Sequence, residues 1–113
     1  MEKNINCKLR PGEEIIKVGR ANLQKNIETV GGRLCLTNQR LVFEAHKFNV
    51  QVGTTEVELS DVQSSQHCWT KLLGVIPVFP NSLAVHVKQG NEHRFVLGDR
   101  ASWAIAIEAH LGR

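Results

Sequence analysis

Five histidines and three cysteines are the side chains best suited to holding a metal ion or supplying a nucleophile in this chain. Their spacing supports neither use. Cys7, Cys35 and Cys68 are far apart, and no Cys-x-x-Cys or His-x-x-x-His pattern occurs, so no zinc-binding spacing is present. His67 and Cys68 are adjacent, and neighbours on a strand point to opposite faces. A hydrolytic site needs a nucleophile beside a base, or paired carboxylates facing a cleft. Neither Gly-x-Ser-x-Gly nor a phosphate-cradling glycine loop ahead of a helix is found. The carboxylates fall on outward strand positions, at turns or at a helix cap. The sequence therefore predicts a protein that is not an enzyme and uses no metal or cofactor.

What remains is the chemistry of charge and apolar contact. The formal charge is +3 and the pI about 9.0. That is a mild excess, enough to favour anionic partners but far from the dense Lys/Arg stripe of a nucleic-acid binder. Two Trp, four Phe and no Tyr leave few stacking platforms for single strands. Nucleic acid is not an expected partner. The odd number of scattered cysteines suits reduced thiols, and the first residues have no apolar core or cleavage site of a signal peptide, so the expected compartment is the cytoplasm. The run Leu72–Pro80, LLGVIPVFP, is too short for a spanning helix, which needs roughly 20 apolar residues. Two prolines and a glycine would also break a helix there.

The elements that must position these groups follow from periodicity. A chain of 113 residues fits one domain: a polar lead-in over 1–10, then a domain over 11–113 that opens on a Pro11-Gly12 turn. Residues 15–23 read as a strand weakened by Gly19. Residues 32–45 read as a hairpin around Asn38-Gln39, pairing Leu36 with Leu41, Leu34 with Phe43 and Arg33 with Glu44. That register places the apolar pairs on one face and Arg33, Thr37, Arg40 and Glu44 on the other, broken by Cys35 and Val42. Gln39 is an awkward turn residue, since glycine is preferred there. Residues 46–55 read as a loop, and 55–59 as a strand with Val57 and Leu59 inward. Ser60-Asp61 turns the chain into a half-exposed strand over 62–69. Strands over 82–87 and 93–97 pair through Lys88-Gln89-Gly90, setting Val85 against His93, Leu83 against Phe95 and His86 against Glu92. Asp99 caps a helix over 100–111 that buries Trp103, Ile107 and Leu111; Ile105 does not fit that stripe. The fold class is mainly β: seven short strands in a strongly bent sheet or two packed sheets, closed by a helix.

At this level of detail the sequence resembles the GRAM domain family of the pleckstrin-homology superfold. The resemblance rests on Gly32 with the Leu-x-Leu-Thr-Asn-x-Arg-Leu-x-Phe hairpin of Leu34 through Phe43. It extends to the Leu-Ser-Asp-Val step at Leu59–Val62, to Gly90 with Phe95, and to Trp103 on the helix, covering about Pro11 to Leu111. It implies seven strands in two near-orthogonal antiparallel sheets capped by a C-terminal helix, with no general catalytic set. Members often sit at membranes, some binding phosphoinositides, while others bind proteins. In pleckstrin-homology-like folds the loops after strands one, three and six gather at a mouth that binds phosphate in many members. Here those loops hold Lys25, His46-Lys47 and Lys88, with Lys17, Arg20 and Arg33 on nearby strands. Lys17, Lys25, Arg33, Lys47 and Lys88 are accordingly the candidates for a lipid head group or other anion. One departure is plain: the Lys-x(n)-Arg-x-Arg signature of strong phosphoinositide binders is missing, since Leu34 and Cys35 follow Arg33.

Fully exposing Leu72, Leu73, Val75, Ile76, Val78 and Phe79 would forgo roughly 1.5–3 kcal/mol each. Burial against the barrel wall, as a connection between the fifth and sixth strands, is the first expectation. A protein interface, self-association included, is the second, and insertion into a membrane beside Trp69 and Lys71 is the third. Leu72, Leu73, Ile76 and Phe79 are the apolar docking candidates. The function expected is a non-catalytic binding module, docking to a protein partner or to an anionic membrane surface. A cytoplasmic protein with peripheral membrane contact fits that function, and a homo-oligomer is a further expectation. The alternative is a small-ligand-binding or enzymatic protein with a pocket between sheet and helix, near His93 or His110.

Overall fold

Alternating apolar residues and turn-forming punctuation build β1 (Ile15–Lys25), β2 (Glu28–Thr37), β3 (Arg40–Ala45), β4 (Thr54–Glu58), β5 (Val62–Leu72), β6 (Ile76–Val87) and β7 (Glu92–Val96), followed by α1 (Arg100–Ala109). The computed structural model describes residues 8–25, 28–45, 54–72, 76–88 and 92–111, with backbone alone for residues 25, 28, 66–72 and 76–82. A short 3-10 turn, Leu59–Asp61, joins β4 to β5. All strand pairs are antiparallel, in the order β4-β3-β2-β1-β7-β6-β5. β1 serves both halves. It pairs along its length with β2, but with β7 only at Asn22↔Val96, Leu23↔Phe95 and Gln24↔Arg94. The mainly β fold of seven antiparallel strands with a C-terminal helix is the expected one.

Both hairpin registers follow the pattern read from the sequence. Leu36 meets Leu41, Leu34 meets Phe43 and Arg33 meets Glu44. In the second half Leu83 meets Phe95, Val85 meets His93 and His86 meets Glu92. The inward sets fuse into one core, in which the Phe43 and Phe95 rings lie 6.1 Å apart across the two halves. α1 packs against β5 and β6 and contributes Trp103 and Ile107 to that core. Gly19, a weak strand residue by propensity, is where the helix lands: a Cβ there would lie 3.3 Å from the Trp103 ring. At Gly32 the constraint is harder, because a Cβ would fall 2.1 Å from the Glu44 carbonyl oxygen and 2.8 Å from the Phe43 ring. Only glycine lets β2 and β3 approach this closely.

Three local expectations are corrected. LLGVIPVFP is not a connection laid along a wall. β5 ends at its Leu72 and β6 takes in its residues 76–80, pairing Thr70 with Phe79, Lys71 with Pro77 and Leu72 with Ile76, while 73–75 lie outside the described residues. The prolines are tolerated because β7 pairs with β6 only over Ser82–His86, so Pro77 and Pro80 have no ladder partner on that edge to lose. The second correction concerns the polar face of β2–β3, where Cys35, Thr37 and Val42 are fully buried and Arg40 nearly so. The third concerns Asp99, which precedes α1 but makes no side-chain capping bond; its carbonyl accepts from Trp103 N at 3.2 Å. Ile105 points outward and is 72% exposed, which explains why it fits no buried stripe.

Candidate functional site

The Thr-Asn-x-Arg signature is spent on holding the fold. In the β2–β3 turn the Thr37 hydroxyl accepts from the Gln39 and Arg40 backbone N–H groups, both at 3.0 Å, doing the work that glycine geometry would otherwise do. The same hydroxyl donates to Glu13 Oε2 at 2.7 Å. Asn38 donates through Nδ2 to the Gly12 carbonyl at 3.0 Å and accepts from Glu14 N at 2.9 Å. Arg40 donates to both Glu13 oxygens, at 2.7 and 3.0 Å, to Glu56 at 2.9 Å and to the Lys8 carbonyl at 2.9 Å. Arg10, from the segment expected only as a polar lead-in, makes a two-pronged ion pair with Glu58 on β4.

Burial makes this network strict. The Glu13 side chain is wholly buried and that of Arg40 is 6% exposed. Hydrogen bonds from Arg40 hold the Glu13 carboxyl at about 2, against an opposing push from burial, with the Arg10 backbone N–H and Thr37 hydroxyl assisting. Arg40 is driven above its already high value by Glu13. The Glu58 carboxyl is lowered by its bonds from Arg10. Cys35 and Val42, fully buried on the supposedly outward face, were the sequence signal that something covers it. The chemistry available is that of a clamp, since every group is already saturated.

The opposite end of the sheet differs. Lys25 ends β1 beside the start of β2 and of β7, and Ala45 ends β3 beside Gly32, while the connections that follow, 26–27, 46–53 and 89–91, lie outside the described residues. Lys25 sits at the end of β1, with its side chain outside the described residues; Lys47 lies outside them altogether. Lys88 is exposed, and its backbone N–H donates to the Asp61 carbonyl at 2.8 Å. Lys17 is not brought to this end. It lies near the other end of β1, opposite Leu36, with its ammonium 5.3 Å from the centre of the Trp103 ring. Arg33 lies partway along β2, between Arg20 on β1 and Glu44 on β3.

The apolar candidates are on a different part of the molecule. Leu72 and Ile76 face each other at the far end of the β5–β6 hairpin, Phe79 lies opposite Thr70, and Leu73 falls outside the described residues. That end of β6 is the one remote from Lys88, so the basic and apolar candidates sit at opposite ends of the strand. An open crevice of about 330 Å³ lies where β7 parts from β1, and neither His93 nor His110 lines it. His93 is half-buried on β7, while His110 Nδ1 lies 2.9 Å from the Ala106 carbonyl oxygen just past α1. Among the described residues no three His, Cys, Asp or Glu side chains cluster to hold a metal ion, and no helix is long and apolar enough to cross a membrane.

Comparison with known proteins places this architecture. The GRAM domain model matches residues 1–102. No curated protein sequence matches the chain. Among solved structures, the C-terminal domain of an unknown protein from Leishmania infantum aligns with a TM-score of 0.74 at 12% identity, over 91% of this chain and 88% of that one. The Vps36 N-terminal PH domain aligns at 0.69 and 21% identity, over 92% of this chain and 83% of that one. The Slm1-PH domain in complex with phosphoserine aligns at 0.65 and 18% identity, over 88% and 97%. At these identities the structural likeness speaks for the fold alone. GRAM domains are typically non-catalytic binding modules, and pleckstrin-homology-like domains bind lipids or proteins. With the model matched over residues 1–102, the chain belongs to the GRAM domain family.

Proposed function

We propose that this protein is a non-catalytic docking module whose mouth, carrying Lys25, Lys47 and Lys88, meets an anionic membrane surface at the cytoplasmic side. The observation that carries the proposal is that Lys25 ends β1 beside the start of β7, with Lys88, just past the end of β6, exposed. Each lysine near an anionic leaflet contributes about 1 kcal/mol, so three give weak, reversible binding that salt screens. The Slm1-PH structure holds phosphoserine, an anion worth including among the ligands tried on this chain. The experiment is co-sedimentation with neutral and anionic vesicles at low and physiological salt. Pelleting with anionic vesicles alone, weakened by salt, is expected. Pelleting with neither would remove the membrane from the proposal.

A protein interface at the far end of the β5–β6 hairpin is the second reading. It is favoured by the edge of β6 over residues 76–81, which pairs with no strand on the β7 side among the described residues, since backbone groups left open on a strand edge invite another chain. With Leu72, Leu73, Ile76 and Phe79 nearby, a second copy of the chain is one candidate partner. Light scattering would reveal a dimer, and Phe79→Ser should split it while the monomer stays folded. Unfolding of that variant would instead mark Phe79 as core.

A further inference from the structure

Arg20 on β1 stands directly opposite Arg33 on β2. Such cross-strand neighbours have Cβ atoms about 4.5–5.5 Å apart, and like charges so placed destabilise a sheet. Elsewhere the fold finds a carboxylate for its guanidiniums: Arg10 has Glu58, Arg40 has Glu13 and Glu56, and Arg94 has Glu92. Arg20 and Arg33 have neither an ion pair nor a hydrogen bond among the described residues. Glu44 faces Arg33 from β3, on the side away from Arg20. Arg20, exposed and facing Arg33, has no carboxylate of the fold opposite it, so an anion from outside would relieve the repulsion.

A cavity lies where that anion would go. β7 pairs with β1 no further than Asn22↔Val96 and then turns away through residues 97–98, opening a crevice of about 330 Å³ lined by Arg20, Asn22, Gly32 and residues 96–98. Its volume is at the lower end of small-ligand pockets. Gly98 leaves room at its rim, since a Cβ there would meet nothing within 4 Å. Arg20 and Asn22 bring a guanidinium and an amide to it, and Arg33 stands beside Arg20. Planar guanidiniums match phosphate oxygens two at a time. Arg20 is five residues before Lys25 along β1, about 16 Å at strand rise, so this feature is separate from the mouth. We infer that the crevice between β1 and β7 is a second anion site, taking a phosphate monoester held by Arg20 and Asn22, with Arg33 adding positive charge from outside the lining.

The test is amide-shift titration of the full chain, labelled with nitrogen-15, using inorganic phosphate, O-phosphoserine and inositol monophosphate. Vesicles of phosphatidylcholine with a phosphatidylinositol phosphate form a separate arm. Saturable shifts at Asn22, Gly32 and Gly98 are expected. Arg20→Gln or Arg33→Gln should weaken them by about tenfold, the scale of one charge-assisted hydrogen bond. Lys25→Gln with Lys88→Gln should leave them unchanged even if vesicle docking through the mouth is lost. Arg20→Gln should not unfold more easily, since it relieves a like-charge pair. Site-dependent pelleting on the vesicles would name a lipid head group as the source of the phosphate; shifts with the soluble esters and no pelleting would name a soluble ester. Shifts confined to Lys88 and its neighbours, shifts that never saturate, or an Arg20→Gln variant that titrates like the parent would each overturn the site.

Discussion

Two regions of the molecule use charged side chains for opposite purposes. At the β2–β3 turn, Glu13, Thr37 and Arg40 are buried and saturated, and Arg10 is tied to Glu58. Just past the end of β6, by contrast, Lys88 is exposed with no carboxylate held against it among the described residues. Charge type alone does not separate a structural group from one available for docking; burial and prior commitment do. A buried pair is costly to break because the surviving partner stays desolvated. A free lysine costs the fold nothing to lose and can act only on something outside it.

Breaking the clamp should have the largest effect. Glu13→Gln leaves the buried Arg40 guanidinium with only the more exposed Glu56 as counter-charge, and unfolding in denaturant should show a loss of about 3 kcal/mol. Acid should do the same without a mutation. The Glu13 carboxyl titrates at about 2 in the fold against an ordinary 4.5. Its contribution is therefore complete above the unfolded value and is lost as the pH falls from about 4.5 towards 2, on the order of 3 kcal/mol in all. The Glu13→Gln variant should lack this portion of the acid dependence. Thr37→Val keeps the ion pair but removes the hydroxyl that bridges Glu13 to the turn, for a smaller loss of about 1–2 kcal/mol. Lys88→Gln should change stability by no more than about 0.5 kcal/mol, a result that sharpens the contrast.

Much of this arrangement was legible in the sequence. Parity alone fixed Leu34 against Phe43 and Val85 against His93, because a slip of one residue would turn each inward set outward. The helix stripe picked out Trp103 and Ile107 for the same kind of reason. What escaped was whatever depended on contacts distant in sequence. Thr37 and Arg40 looked like surface residues because their partner, Glu13, lies some two dozen positions away and no local period connects them. Cys35 and Val42 broke the polar face, and that break was the legible sign of a cover. LLGVIPVFP was misread as a connection because proline counts against a central strand. It could not be known from the chain alone that β7 stops short of Pro77 and Pro80. The mouth was reached through family resemblance, and strand direction supports its assembly at one end. Lys17 lay on the same strand as Lys25 but went to Trp103, because a strand of this length has two ends.

The most direct measurement is vesicle co-sedimentation of the Lys25→Gln/Lys88→Gln variant beside the parent chain, with anionic vesicles at low salt. If the mouth does the docking, the parent pellets and the variant stays in solution, while both unfold at the same denaturant midpoint. A variant that pellets as well as the parent would contradict the account and leave the lysines of the mouth as solubility charges.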